Sequence, residues 1–197
     1  MIRLLGNIPQ SCTIAFSGGV DSVAAADFFL NGRKDVSIAF FHHGTEHSER
    51  SVEWVRNFAD SRKCELKIGK IERDRDKNES LEEYWRNERY RFLHSIDNLV
   101  ITAHHLDDAI ETWIFSSLHG NPRVIPYRRH NVVRPFLKTR KKYLRGWCER
   151  RGISWIEDHS NRDPRFMRNY IRETIMPGAF KVNPGLYKTI IKKYDTF

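Results

Sequence analysis

The chain has little with which to build a cysteine-based site. Its three cysteines, Cys12, Cys64 and Cys148, stand far apart among 197 residues, and no C-x-x-C pair occurs. A zinc ribbon or a cysteine-held cluster is therefore not signalled, and so sparse and odd a set fits a reducing, cytoplasmic location. No run of about eighteen apolar residues is present, so no transmembrane helix and no membrane partner are expected. The opening MIRLLGNIPQSC lacks the apolar stretch of a secretory signal. Both common nucleotide fingerprints, G-x-x-x-x-G-K-[ST] and G-x-G-x-x-G, are missing. Acidic residues are the scarcer charge: 25 against 34 Lys and Arg leave a formal net charge of +9, which favours a polyanionic partner because clustered cations release counterions from phosphates. The excess is uneven. RRHNVVRPFLKTRKKYLRGWCERR, from Arg128 to Arg151, holds a single acid, Glu149.

What is present reads as one soluble domain. Hydrophobic content of 40% and charged content of 30% suit a globular core. Short apolar runs alternate with amphipathic stretches. Strands are predicted at Thr13–Phe16, Val36–Phe41, Glu65–Ile71 and Leu99–Ala103. Helices are predicted at Val20–Leu30, Ser51–Lys63, Ser80–Leu93 and Asp107–Leu118, with HHGTEHSER as a loop between the second strand and its helix. Leu81, Tyr84, Trp85 and Phe92 form the inward stripe of the third helix. The alternation predicts an α/β fold, a doubly wound, mostly parallel sheet with flanking helices. After Gly120 the pattern changes: NPRVIPYRRHNVVRP reads as irregular, Thr139–Arg151 as a helix, and ISWIEDHSNRDPRFMRNYIRETIMP as a short strand, a polar loop and a helix. The stretch from Gly178 reads as a short tail that frays. Trp85, Trp113 and Trp147 fall on apolar stripes and read as core.

Two stretches carry chemistry. SGGVDS, Ser17 to Ser22, joins the first strand to its helix, the place where parallel sheets bind ligands. Glycines there let backbone amides approach an anion, and the helix N-terminus adds a positive dipole. Asp21 would repel a bare phosphate, but suits a magnesium ion shared with one. The plain alternative is a tight turn with a polar cap. In TAHHLDDAIET, Thr102 to Thr112, Asp108 and Glu111 share a helix face with His104 and His105 just ahead. Two carboxylates facing one pocket suit a magnesium ion or an ammonium group, and the plain alternative is a solvated helix start.

SGGVDS resembles the SGGxDS signature of the PP-loop ATP pyrophosphatase family, whose members split ATP into AMP and pyrophosphate. Six motifs in order, AFSGGVDS, FHHG, YWRNERYRFL, TAHHLDDAIET, RPFLKTRKKYL and WIEDHSNRDPRFMRNYIR, narrow the resemblance to the tRNA(Ile)-lysidine synthetase family over Thr13 to Pro177. The resemblance implies a catalytic domain over residues 1–177, with ATP and Mg2+ as cofactors, and free lysine and an isoleucine tRNA with a CAU anticodon as partners. ATP would adenylate the wobble cytidine, and the lysine ε-amine would displace AMP. It further implies that Ser17, Gly18, Gly19, Val20, Asp21 and Ser22 hold the pyrophosphate, with Asp21 the metal ligand. His42, and beside it His43, would shape the adenosine pocket, and His104 would sit by the adenylate. Asp108 and Glu111 would bind lysine. Arg89 and Arg168 would stabilise negative charge, with Arg86 as an alternative to Arg89. Trp155, Ile156, Glu157, Asp158 and Asn161 would fix a loop at the tRNA end.

Two departures stand out. LHGNPRVIPYRRHNVV replaces the family's glycine-rich RGSGxxGL loop, and the chain stops at Phe197 where the family continues into tRNA-gripping domains. A homodimer, a separate tRNA-binding chain or the basic 128–151 segment is expected to supply that grip. The competing readings are a relative acting on another nucleobase or amine, and a non-catalytic ATP- or tRNA-binding homologue.

Overall fold

The computed structural model describes residues 1–157 and 167–195. A six-stranded sheet runs in the order β3-β2-β1-β4-β6-β5, built from β1 (Ser11–Ala15), β2 (Asp35–His42), β3 (Leu66–Lys70), β4 (Val100–Ile101), β5 (Arg128–Arg129) and β6 (Val132–Val133). All pairings are parallel except β5 with β6. The helices are α1 (Val20–Asn31), α2 (Glu46–Ser61), α3 (Leu81–His94), α4 (Leu106–Leu118), α5 (Lys141–Arg150), α6 (Met167–Tyr170), α7 (Met176–Val182) and α8 (Leu186–Lys192). The sheet grows outward from β1 in one direction through β2 and β3, then restarts on the other side of β1 with β4. That reversal opens a crevice at the carboxyl ends of β1 and β4, and doubly wound sheets bind ligands in such a crevice.

Burial explains the layering. One core packs Cys12, Ile14 and Ile38 of the sheet against Val23 to Ala26 of α1, Val55 and Phe58 of α2, and Leu144 and Cys148 of α5. A second joins Tyr90 and Leu93 of α3 to Val100 and Val132. A third holds α4 and α8 together through Leu106, Ile110, Ile190 and Tyr194. Asp27, on buried α1, ties three helical segments together. It accepts the Trp147 indole N–H at 2.9 Å and pairs with Arg62 at 3.1 Å and Arg151 at 2.7 Å.

Several expectations are corrected. The helix expected from Ser51 begins at Glu46, because the Thr45 hydroxyl caps it by accepting the Ser48 amide. The segment expected to be irregular contains β5 and β6, and β6 extends the sheet with Val100 opposite Val132 and Ile101 opposite Val133. No strand forms at Ile153–Trp155; this stretch crosses the rim instead, where the Ile156 amide donates to the Gly18 carbonyl at 2.9 Å. Leu81 is exposed rather than inward. From Gly178 to Asp195 the chain does not fray: Leu186, Ile190 and Tyr194 are buried, and the Tyr194 hydroxyl donates to the Ile125 carbonyl. Asp158 and Asn161 lie outside the described residues.

Between α6 and α7 the helix widens into a π-turn at Ile171–Ile175. Pro177, separated from it only by Met176, has no amide to return to the turn before it, so the widened turn absorbs the mismatch.

Candidate active site

The loop after β1 is held open by its own small residues. Gly18 has φ +79, and a Cβ there would stand 2.6 Å from Ile156 Cδ1. Gly19 caps α1 in an extended conformation with no side chain to fill the cap, leaving the first amides of α1 to a ligand. The Ser22 hydroxyl donates to the Gly19 carbonyl at 2.9 Å and receives the Ser17 amide at 3.2 Å. The loop is therefore shaped before any anion arrives. Gly18→Ala should cost about 1–3 kcal/mol through left-handed strain and the clash with Ile156. Thermal unfolding should register that loss, and a nucleotide titration should show affinity falling by about tenfold or more. Adding Ile156→Ala should recover only the part due to the clash.

Across the crevice, α4 opens with a reciprocal cap. The His105 amide donates to Asp108 Oδ2 at 2.9 Å, and the Asp108 amide approaches His105 Nδ1 at 3.3 Å. His105 Nε2 faces Asp21 Oδ2 at 3.6 Å, which brings the two sequence motifs into one site. Burial opposes a charge on His105, but Asp108, Asp21 and Asp107 outweigh it and raise its pKa to about 9. A charged ring carries a proton on Nδ1, so its partner there is Asp108 Oδ2 at 3.2 Å rather than the Asp108 amide. His104 behaves oppositely. Burial, reinforced by Arg134 and Arg89 against the pull of Asp108, lowers its pKa to about 3. It is neutral, with Nδ1 at 2.8 Å from the Thr102 hydroxyl. The Asp108 pKa is lowered because the charged His105 ring, the hydrogen bond from the His105 amide and nearby Arg172 overcome the burial that would raise it.

Glu111 corrects one expectation. It is buried, and both oxygens are taken by the protein's own cations: Arg168 at 2.7 Å and Arg172, which also lies 3.8 Å from Asp108 Oδ1. Asp108 and Glu111 do share a face, but Glu111 offers no free carboxylate to an ammonium group. Arg172 stands four residues after Arg168, in the π-turn. That i, i+4 repeat in RNYIR was the available sequence signal for it.

The rim continues at the ends of β2 and β6. His42 is occupied locally, receiving the Gly44 amide on Nδ1 and facing Glu49 at 3.3 Å. The neighbouring His43, rather than His42, has a ring nitrogen to spare. Its ring lies 4.9 Å from Phe41 and 5.7 Å from Trp85, so Trp85 borders the site instead of lying in the core. Burial, with Arg89 and His42, lowers the His43 pKa to about 4. Arg134, fully buried after β6, donates to the Pro126 carbonyl and the Tyr90 hydroxyl, both at 2.9 Å. Arg89 and Arg86 flank the Tyr90 ring. Among the described residues, no carboxylate lies within ion-pair distance of Arg86, Arg89 or Arg134.

Four buried side-chain atoms among the described residues have no hydrogen-bond partner: Asp21 Oδ1, His43 Nδ1, Arg134 Nε and Arg140 Nε. Three of these residues follow the carboxyl ends of β1, β2 and β6, and Arg140 is the N-cap of α5 beside the start of α4. Each such group costs about 1–3 kcal/mol if nothing meets it. Their collection on one rim marks a site shaped for a polar ligand. Asp21 Oδ1, an unpaired carboxylate oxygen at the mouth of an amide-lined loop, has the chemistry for a hard divalent cation.

A parallel sheet with a glycine-rich amide cradle at its switch point defines a nucleotide-binding α/β domain. The chain belongs to the PP-loop family, whose ATP-binding PP-loop domain matches residues 4–179. It is similar to the tRNA(Ile)-lysidine synthase of Methylococcus capsulatus, 34% identical over 83% of this chain and 41% of that protein. The Thermus thermophilus protein of the same name is 33% identical over 89% and 37%, and that of Vibrio vulnificus 29% over 90% and 44%. The chain thus spans less than half the length of these curated relatives. A solved structure described as a predicted subunit of tRNA methyltransferase from Methanocaldococcus jannaschii overlaps with a TM-score of 0.46 at 13% identity, covering 76% of this chain and 93% of that one. No helix among the described residues is long and apolar enough to cross a membrane.

Proposed function

We propose that the domain, covering residues 1–177, ligates lysine to the wobble cytidine of an isoleucine tRNA at the cost of ATP. The observation that carries this reading is the junction of two motifs at Asp21 and His105, which sets an anion cradle against an acidic, arginine-braced helix. In this reading Ser17, Gly18, Gly19, Val20 and Ser22 bind the pyrophosphate of ATP. The cytosine carbonyl oxygen bonds to the α-phosphorus and pyrophosphate leaves. The lysine nitrogen then bonds to the carbonyl carbon, the bond from that carbon to oxygen breaks, and AMP departs with the oxygen. Neutral His104 sits beside the adenylate as a hydrogen-bonding group rather than a charge.

Asp108 binds the lysine ammonium, and the proton the amine must lose passes to water or to the departing AMP, since only the neutral amine is nucleophilic. Glu111 acts through its arginines, holding Arg168 and Arg172 toward the leaving groups, while Arg89 brings an uncompensated charge from the other side. A magnesium ion held by Asp21 Oδ1 would neutralise phosphate charge. His43 contributes the free nitrogen that the adenosine pocket needs, and the exposed cations between Arg128 and Arg150, Arg134 and Lys141 apart, take the RNA backbone. Trp155, Ile156 and Glu157 brace the loop that leads from the cradle toward the RNA.

The test is mass spectrometry of nucleosides from CAU-anticodon isoleucine tRNA incubated with the protein, ATP, Mg2+ and isotopically labelled lysine. A labelled lysine–cytidine adduct is expected, together with AMP release that requires this RNA. Equal AMP release with unrelated RNAs, or no adduct, would count against it.

A further inference from the structure

We infer that Lys141 is a built-in stand-in for the metal ion: it neutralises Asp21 in the free protein and turns to the phosphates when a nucleotide and its cation arrive. This rests on the proposed role of Asp21 as metal ligand.

Three successive cations, Arg140, Lys141 and Lys142, open α5, and they go three different ways. The Arg140 guanidinium stands over the rings of Phe180 and Tyr187, at 5.8 and 5.0 Å from their centroids. The Lys142 ammonium lies 5.3 Å from the centroid of the Tyr143 ring next to it. Arg140 also lies 4.0 Å from Asp107 Oδ1 at the start of α4, but of the three only Lys141 reaches Asp21, with Nζ 3.7 Å from Oδ2.

Its backbone is fixed while its head is not. The Lys141 amide donates to Asp107 Oδ2 at 2.7 Å, which anchors the start of α5 to the start of α4. The side chain is 43% exposed, and four rotatable methylenes let the ammonium move several ångströms without disturbing the helix.

The other nitrogen facing Asp21 cannot move in this way. His105 is 3% exposed and is tied to Asp108 through its cap, so it stays whether or not a ligand is present. Asp21 Oδ2 therefore faces one fixed ring nitrogen at 3.6 Å and one movable ammonium at 3.7 Å, while Oδ1 is buried and unpaired. A divalent ion arriving at this carboxylate meets an ammonium group already there. Like charges a few ångströms apart repel, so the ion binds alone only against Lys141. When the ion arrives with a triphosphate, the phosphates offer the ammonium a new partner, and the repulsion turns into a shared contact. The exchange keeps the local charge near balance in both states. It also lets a carboxylate sit at the mouth of a phosphate cradle without repelling the substrate.

The inference predicts opposite signs for two affinities. Binding of Mn2+ in the absence of nucleotide, followed by loss of the free-ion EPR signal, should tighten about fivefold to tenfold in Lys141→Met. Binding of ATP with Mg2+, or of pyrophosphate with Mg2+, should weaken by a similar factor in the same variant. Lys141→Arg, which keeps the charge, should resemble the parent in the Mn2+ titration, and circular dichroism should show all variants folded. Unchanged Mn2+ affinity in Lys141→Met, with Asp21→Asn losing Mn2+ binding, would overturn the role of Lys141 and leave Asp21 as metal ligand intact. Unchanged Mn2+ binding in Asp21→Asn would overturn the metal assignment and this inference with it.

Discussion

Asp21→Asn is expected to lower ATP-dependent AMP formation by about 10²–10³-fold, the scale seen when a preorganised electrostatic contact to a developing charge is removed. The change removes the formal charge that a cation needs and keeps the side chain's shape. Oδ1 makes no hydrogen bond in the protein, so nothing structural is lost there. His105 keeps Asp108 as its partner at 3.2 Å, and half-exposed Lys141 returns to water. The melting temperature should therefore move little while turnover collapses. The assay is AMP release with saturating Mg2+ at matched folded fraction. Retention of more than about a tenth of the parent rate would remove Asp21 from the chemistry.

Asp27→Ala should do the reverse. This carboxylate is 1% exposed and joins α1 to α5 and to the end of α2 through Trp147, Arg151 and Arg62. Breaking a buried ion pair costs about 3–5 kcal/mol. Both arginines are partly exposed, at 34% and 40%, and can regain water, so the loss should sit near 3 kcal/mol. For a chain of this size that is a fall of roughly 6–12 °C in melting temperature. Asp27→Asn retains an acceptor for the Trp147 indole and should lose less. Urea denaturation should show a lower midpoint with an unchanged slope, and the AMP-forming rate of the folded fraction should match the parent at low temperature. A loss below 1 kcal/mol would show that the cluster is solvated and contributes little.

Asp27 also shows what the sequence hides. Read alone, it is an acidic residue in an alanine-rich helix; its role depends on three partners brought in by other helices. The phosphate cradle was legible because its causes are local. Gly18 marks a turn that other residues resist, and the alternation of apolar runs announces the parallel sheet around it. β6 was not legible, since two valines among arginines and prolines become a strand only because Val100 and Ile101 stand ready to pair. The occupancy of Glu111 was hidden for the same reason: its arginines lie 57 and 61 residues away along the chain. Lys141 drew no notice inside a run of cations, where only the crossing of α5 over α1 singles it out. His42 and His43 read alike in the sequence, because adjacent identical residues cannot be ranked until the Gly44 amide is seen to claim one of them.

The unsatisfied atoms on the rim bear on any attempt to make the protein more robust. Giving Arg134 Nε an internal acceptor, or Asp21 Oδ1 an internal donor, would relieve the resting molecule and raise its heat tolerance. The same changes would fill the vacancies a ligand is meant to answer. Thermostabilised variants selected without nucleotide should therefore accumulate changes on this rim and lose catalysis as they gain resilience, whereas selection in the presence of ATP should leave it untouched.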